Sequence, residues 1–184
     1  STEDISKAIL KCHAENVIVF PNNKNIILAA EQAAEINEEC NVYVLPSKTI
    51  PQGIAAMISY DGSEKDPAEI LEDMQSAMSD VETAQITVAV RDTVIDELSI
   101  KEGEYLGILD GRIVVHDSDI KETFKELLKK MKQDAEVITI YSGEDITSEL
   151  AEELLGEAQE IYDGADVELY EGNQPVYHFI ISAE

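Results

Sequence analysis

Histidine and cysteine are the side chains of this sequence best suited to binding a metal or attacking a substrate, and they are scattered. The histidines are His13, His116 and His178, and the cysteines are Cys12 and Cys40. A zinc site needs several such residues at fixed spacing, and neighbours on a helix such as Cys12 and His13 direct their side chains apart. We therefore predict ordinary, partly buried positions for all five. Two cysteines also suit a reducing compartment better than a disulfide framework.

Nucleotide-binding motifs are missing from the sequence. It contains neither Gly-x-x-x-x-Gly-Lys-Ser/Thr nor a Gly-x-Gly-x-x-Gly after a predicted strand. Carboxylates are so abundant that no pair stands out as a general acid and base, which would need a pocket that shifts a pKa. The turn from Asp61 to Asp66 has oxygen ligands but lacks the alternation and later glutamate of a calcium loop. These patterns predict no metal site and no recognisable nucleotide site, and they leave general acid–base catalysis by a carboxylate undecided.

Charge is the strongest signal in the sequence, with 39 acidic and 13 basic residues giving a net charge of −26. Fourteen acidic residues and no Lys or Arg follow Lys132, and the stretch from Asp61 to Glu82 holds eight acids and only Lys65. This charge excludes any broad, sequence-independent binding of nucleic acid or an anionic membrane, since both are polyanions. No apolar run is long enough to span a bilayer, and the N-terminus has no signal-peptide pattern. The two cysteines, too few for a disulfide framework, favour the reducing cytoplasm.

The acidic residues near the C-terminus have two explanations. Five glutamates fall on one face of a predicted helix: Glu149, Glu152, Glu153, Glu157 and Glu160. Their like charges repel one another, and no lysine lies among them. A groove that receives a basic protein would explain the imbalance. A solvated face that maintains solubility explains it equally well.

The first half of the chain predicts two buried parallel strands joined by a helix. Val17–Phe20 and Val42–Leu45 are apolar runs typical of strands buried on both faces, and the Ala-rich segment 26–38 lies between them. A strand–helix–strand unit implies parallel strands. Three further helices are predicted to begin at Ser1, near Ile50 and at Asp66–Pro67.

The second half repeats this plan over residues 137–170, with a helix predicted from Thr147 to about Tyr162. The other predicted elements are a strand at Ile86–Val90, a hairpin of Tyr105–Leu109 and Arg112–Val115 through Asp110-Gly111, a helix after Ser118 and a strand at Val176–Ile181. We therefore predict an α/β fold of two small subdomains, residues 1–84 and 85–184.

Polar turns adjoin the predicted strands, and open α/β sheets collect ligands at the carboxyl ends of strands. The four turns are Pro21–Asn25, Thr49–Gly53, Arg91–Thr93 and Gly143–Asp145. Ordinary turn chemistry also explains their Asn, Gly and Pro residues. Both a binding role and a purely structural role stay open for these turns.

Six short motifs, taken in order, carry a family resemblance. They are Pro21-Asn-Asn-Lys-Asn-Ile26, Thr49-Ile-Pro-Gln-Gly53, Ala89-Val-Arg-Asp-Thr93, Asp110-Gly-Arg-Ile-Val-Val115, Gly143-Glu-Asp145 and Gly172-Asn-Gln-Pro-Val-Tyr177. Together they resemble the carboxy-terminal domain of the kinase subunit of bacterial fatty acid kinase, a dihydroxyacetone-kinase-like (DAK2-domain) protein. The resemblance covers essentially the whole chain. It departs from the common pattern at His178, where proline is expected.

The resemblance implies that the chain is the C-terminal part of a longer kinase subunit, which suits its abrupt start at Ser1. In that family, an upstream domain binds ATP and magnesium, and a central domain supplies dimerisation and the catalytic Cys and His residues. The C-terminal domain resembles the DegV-like fatty-acid-binding subunit, and it docks that basic partner through an acidic groove. The bound fatty acid is then phosphorylated to acyl-phosphate for phospholipid synthesis. The resemblance implies for this chain a DegV-like α/β fold, a monomer without cofactor or catalysis, and a full-length protein that is dimeric through another domain.

The resemblance also suggests residues for partner binding. The acidic candidates within the matched motifs are Asp92, Glu144, Asp145 and Glu171. Less specific candidates on the predicted helix are Glu149, Glu152 and Glu153. Two other functions stay open: a fatty-acid-binding domain with its own apolar tunnel between subdomains, and an autonomous hydrolase or phosphatase, for which a nucleophile motif is missing.

Overall fold

The chain divides into two units where the first strand of its large sheet begins. The computed structural model describes residues 1–63 and 66–184, and its units are Ser1–Val81 and Glu82–Glu184. This division precedes the one predicted after residue 84, because strand β3 already starts at Glu82. Two residues of the turn from Asp61 to Asp66, Glu64 and Lys65, lie outside the described residues.

The described part of the first unit has a parallel two-stranded sheet and four helices. Its elements are α1 (Thr2–Lys11), β1 (Asn16–Val19), α2 (Ile27–Glu35), β2 (Asn41–Val44), α3 (Ile50–Ile58) and α4 (Pro67–Ser79). Strands β1 and β2 pair in parallel, which confirms the predicted strand–helix–strand unit. Helix α2 ends before the predicted residue 38, because the Asn37 side chain accepts the N–H groups of Glu39 and Cys40 and forms a turn instead.

Side chains at the predicted helix starts accept backbone N–H groups of the first turn. Ser1 and Asp4 form a reciprocal capping box, Thr49 Oγ1 accepts the N–H of Gln52 at 3.3 Å, and Asp66 accepts that of Ala68 at 3.2 Å. These contacts satisfy amides that have no partner inside the helix. The three starts are therefore confirmed.

The second unit is built on a six-stranded sheet covered by two helices. Its elements are β3 (Glu82–Val88), β4 (Thr93–Ile95), β5 (Leu98–Ile100), β6 (Tyr105–Leu109), β7 (Arg112–Asp117), α5 (Ile120–Lys130), β8 (Val137–Ser142), α6 (Ser148–Ile161), β9 (Asp166–Glu171) and β10 (Phe179–Ala183). The sheet order is β7-β6-β3-β10-β8-β9. Strands β8 and β9 pair in parallel, and the other neighbouring pairs described for this sheet are antiparallel.

A large core holds α5 and α6 against this sheet. The rings of Phe124 and Phe179 meet edge to face with centroids 5.3 Å apart, and both side chains are fully buried. Leu127, Ile140 and Leu154 belong to the same buried cluster. This packing fixes the position of the turn between β8 and α6.

Two strand predictions need correction, and one hairpin was not predicted. Strand β3 covers Glu82–Val88 rather than Ile86–Val90, and Val90 is 82% exposed. Strand β10 starts at Phe179 rather than Val176, because Val176 has a φ of +72° that a strand cannot contain. The small β4–β5 hairpin was not predicted, since its turn uses Asp96 and Glu97 at positive φ in place of glycine or asparagine. The Asp110-Gly111 hairpin is confirmed.

Candidate functional site

An acidic cleft lies where β8 and β9 end beside the start of α6. The two strands pair in parallel with Ser142 opposite Glu171, so both carboxyl ends meet at one edge of the sheet. The cleft has a volume of about 410 Å³. Its lining residues, to which "the cleft" refers below, are Ser142, Ile146, Ser148, Ala151, Glu152, Leu169, Glu171 and Asn173.

The cleft combines an apolar lining with acidic and neutral polar groups. Ile146, Ala151 and Leu169 supply the apolar surface, and Ala151 is buried. Glu152 and Glu171 are exposed carboxylates that line the same space. None of the lining residues in the described part of the chain is Lys, Arg or His. The cleft therefore offers negative charge and hydrogen-bond acceptors to whatever enters it.

The Glu144–Asp145 turn adjoins the cleft. The N–H of Ile146 donates to the carbonyl oxygen of Gly143 at 3.1 Å, which makes Glu144 and Asp145 the central residues of a β-turn. Both side chains are exposed. Thr147 Oγ1 then accepts the N–H of Leu150 at 3.2 Å, which starts α6 as predicted.

A second loop, residues 172–178, packs against this turn through the backbone. The N–H of Gly143 donates to the carbonyl oxygen of His178 at 2.8 Å, and that of Glu144 donates to Gln174 at 3.1 Å. A Cβ on Gly143 would lie 2.4 Å from the carbonyl oxygen of Tyr177, so only glycine permits this approach. The sequence predicted neither this role of Gly143 nor the cleft positions of Ser142, Ser148 and Asn173.

The predicted partner-binding residues fall into four groups. Glu152 and Glu171 line the cleft, while Glu144 and Asp145 occupy the adjoining turn. Glu149 lies in the first turn of α6. The remaining two residues have local contacts: Lys121 Nζ lies 2.8 Å from Glu153 Oε1, and Asp92 Oδ1 accepts the N–H of Glu102 at 2.8 Å. The structure thus brings together, in and beside the cleft, residues that were predicted separately.

Two tyrosines precede the cleft residues on the same strands. Tyr141 and Tyr170 are paired in register, and their rings stack with centroids 5.9 Å apart. Burial raises the pKa of Tyr141. A hydrogen bond of 2.8 Å to Glu168 raises the pKa of Tyr170. Both phenols therefore stay neutral at pH 7 and brace the strand ends from the opposite face of the sheet.

The first unit has an apolar hollow of about 330 Å³, lined by Phe20, Asn22, Gly53, Ile54, Met57 and Ile58. Two of the polar turns meet here, since a Cβ on Gly53 would fall on the side-chain oxygen of Asn22. The buried Ser47 hydroxyl donates to this oxygen at 2.8 Å and accepts the N–H of Asn22 at 2.9 Å. Met57 and Ile58 are 57% and 79% exposed, so the hollow opens widely to solvent.

The prediction of partly buried positions is correct for Cys40, His116 and His178 and wrong for Cys12 and His13, which are exposed. Over residues 1–63 and 66–184, no three His, Cys, Asp or Glu side chains come together in a way that could hold a metal ion. His116 Nδ1 lies 3.2 Å from Glu104 Oε2, and Cys12 and Cys40 are free thiols. In the same described ranges, no helix is long and apolar enough to cross a membrane.

Comparison with curated proteins finds relatives about three times as long as this chain. Protein YloV of Bacillus subtilis is 42% identical over 185 residues, which cover 100% of the chain and 33% of YloV. A protein of Staphylococcus epidermidis is 40% identical over 189 residues, with the same coverage of 100% and 33%. The chain thus spans about a third of the length of the curated relatives it matches.

Solved structures with the same fold include DegV family proteins and a fatty acid kinase B protein. A DegV family protein of Corynebacterium glutamicum matches with a TM-score of 0.73 at 16% identity, covering 100% of the chain and 80% of that protein. The fatty acid kinase B3 protein of Streptococcus pneumoniae, loaded with linoleic acid, matches with a TM-score of 0.67 at 12% identity and coverage of 100% and 76%. The predicted DegV-like α/β fold is confirmed.

The family model for FakA-like fatty acid kinase C-terminal domains matches residues 1–184. This match agrees with the resemblance carried by the six turn motifs, and it extends over both units. The chain belongs to the family of FakA-like fatty acid kinase C-terminal domains.

Proposed function

We propose that this domain docks a basic fatty-acid-binding subunit through the cleft and performs no chemistry itself. In the proposed assembly, upstream parts of a longer protein use ATP and magnesium to phosphorylate the bound fatty acid to acyl-phosphate. The observation that carries the proposal is the convergence of Glu152 and Glu171 on one cleft whose described lining has no basic residue. Family membership supports the link to a fatty acid kinase system.

The chemistry of the cleft fits a long basic side chain. A guanidinium or ammonium group makes strong charge-assisted hydrogen bonds with carboxylates, and Glu152 and Glu171 supply these acceptors. The aliphatic stem of Arg or Lys packs well on apolar surface, which Ile146, Ala151 and Leu169 provide. An acidic patch of this kind attracts a basic protein and raises its association rate.

The proposal also includes the compartment and the oligomeric state of the domain. We infer a cytoplasmic domain that is monomeric when isolated, within a longer protein that is dimeric through another domain. ATP, magnesium and the catalytic Cys and His residues would then all belong to that longer protein. These inferences rest on the family, whose curated members are about three times the length of this chain.

Binding to a basic fatty-acid-binding subunit should weaken steeply with salt. The Debye length falls from about 30 Å at 0.01 M to about 3 Å at 1 M ionic strength, so attraction between the cleft and basic side chains is lost over this range. Isothermal titration calorimetry across the salt series measures the change in Kd. Binding that is insensitive to salt, or the lack of any binding at low salt to the cognate subunit, would contradict the proposal.

The second candidate function is fatty acid binding by the domain itself. The observation that favours it is the apolar hollow of the first unit, whose volume of about 330 Å³ lies at the lower end of ligand pockets, which hold about 300–1,000 Å³. Against it stands the wide opening of the hollow at Met57 and Ile58. Native mass spectrometry of the purified domain with oleate decides between the two: a saturable complex with the isolated domain favours this second function.

A further inference from the structure

Val176 has a backbone conformation that valine rarely adopts. Its φ is +72°, and the N–H of Tyr177 donates to the carbonyl oxygen of Pro175 at 2.8 Å. A hydrogen bond across three residues with positive φ at the centre defines the rare, strained form of the γ-turn. For a β-branched residue such a φ is a genuine outlier. The position therefore contains strain that a different residue type would avoid.

Hydrogen bonds on both sides of Val176 hold the strained turn in place. The Thr87 hydroxyl donates to the carbonyl oxygen of Val176 at 2.9 Å. The side-chain amide of Gln174 donates to the carbonyl oxygens of Tyr141 and Tyr177 at 3.0 and 3.2 Å. Strained conformations persist where the surrounding structure over-determines them, and these contacts do so here. The Cα–Cβ bond of Val176 therefore points in one fixed direction.

The fold of the second unit gains little from this side chain. Val176 is 69% exposed, so most of its apolar surface stays in water. Glycine would adopt the same φ without steric cost and would remove that exposed surface. A strained and exposed valine at an over-determined position is the kind of outlier that clusters at functional sites. Its use should lie in contact with another molecule.

We propose that Val176 is an apolar contact covered by the basic fatty-acid-binding subunit; this inference rests on the proposed function. The N–H of Glu144 donates to the carbonyl oxygen of Gln174 at 3.1 Å, so the loop that carries Val176 and the Glu144–Asp145 turn are joined through their backbones. An apolar contact beside two carboxylates fits a partner with an apolar recess bordered by Lys or Arg. This matches the usual layout of interfaces, in which an apolar centre has a polar rim.

The partner proposed to cover Val176 is the same basic subunit that is proposed to bind the cleft. The Glu144–Asp145 turn leads directly into Ile146 and Ser148 of the cleft lining, so a single bound protein can cover both. A neutral apolar partner would leave the two carboxylates desolvated and unpaired, which costs binding energy. A rigid, preformed contact also loses little entropy on binding.

Three variants test this contact: Val176→Gly, Val176→Ala and the control Val94→Ala. Val94 is 70% exposed in the same unit, so both alanine variants remove the same methyl groups from valines of nearly equal exposure. We expect Val176→Gly to bind the basic partner about tenfold more weakly while its urea midpoint is unchanged or higher, because the strain is relieved. Val176→Ala should also bind more weakly, without the gain in stability. Val94→Ala should leave the affinity unchanged.

Different results would contradict the proposed function and the Val176 contact. Wild-type protein that fails at low salt to bind the basic subunit overturns the proposed function and this contact with it. Wild-type binding combined with unchanged affinity of Val176→Gly overturns the Val176 contact alone. Loss of stability in Val176→Gly, or an equal loss of affinity in Val94→Ala, also overturns it, because the valine would then serve the fold or a general apolar surface.

Discussion

Replacing Glu152 and Glu171 together by lysine should weaken binding of the basic fatty-acid-binding subunit by about a hundredfold. Both carboxylates line the cleft, and truncating or reversing a close interfacial charge costs about 1.5 kcal/mol or more, so two reversals together reach about two decades in Kd. Both side chains are exposed and lie in a strongly acidic unit. The variant should therefore fold normally, since the substitutions reduce like-charge repulsion.

The control for this variant is Glu160→Lys with Asp163→Lys. These two acids lie at the far end of α6 and just beyond it, are exposed, and border a different surface depression. The change in net charge is identical, so any long-range attraction falls equally in both variants. Stopped-flow mixing separates the contributions: both variants should slow association, while only the cleft variant should also speed dissociation. Equal dissociation rates would show that the cleft does not contact the partner.

Predictions from local patterns were accurate where the cause was local. The caps at Ser1, Asp66 and Thr147 depend on one side chain and the next turn of backbone, and all three are present. The two strand–helix–strand units are also local, and both have parallel strands. The hairpin at Asp110-Gly111 formed as expected because its turn residues suit positive φ.

Predictions of strands and turns were wrong where residues distant in the sequence determine the local conformation. Val176 and Tyr177 have high strand propensity, yet hydrogen bonds from Thr87 and to Pro175 hold them in a turn. The sheet order places β10 between β3 and β8, which no local pattern specifies. The β4–β5 turn has Glu97 at the position where Asp110-Gly111 has glycine, so its sequence lacks the Asp-Gly signal that identified the other hairpin.

The candidate site was predictable by residue type but not by arrangement. The excess of acids after Lys132 is visible in the sequence, whereas the convergence of Glu152 and Glu171 depends on the register that sets Ser142 opposite Glu171. Glu153 pairs with Lys121 of the other helix, whereas its neighbour Glu152 lines the cleft. Adjacent glutamates of one helix thus have different surroundings, which composition cannot distinguish.

Gly143→Ala should destabilise the second unit and damage the docking surface. The new Cβ would lie 2.4 Å from the carbonyl oxygen of Tyr177 and 3.1 Å from that of Gln174. These are backbone atoms, so the 172–178 loop must move, which breaks the hydrogen bonds from Gly143 to His178 and from Glu144 to Gln174. Overpacking together with two lost hydrogen bonds should cost about 2–4 kcal/mol.

Gly156→Ala is the matched control, because it is the same substitution with the opposite expected sign. Gly156 lies within α6, and a Cβ there would meet no atom within 4 Å. Alanine in a helix interior is about 0.5–1 kcal/mol more favourable than glycine. Urea unfolding followed by circular dichroism measures both changes, and amide hydrogen exchange in β8 and β10 locates them in the second unit.

The two glycine variants also separate stability from docking. Gly143→Ala should lose affinity for the basic subunit even in conditions where it is fully folded, because the Glu144–Asp145 turn and the Val176 loop no longer share one backbone arrangement. Gly156→Ala should bind like the wild type. If folded Gly143→Ala binds normally, the partner does not depend on the joined turn and loop, and the docking surface must be confined to the cleft or lie elsewhere on the domain.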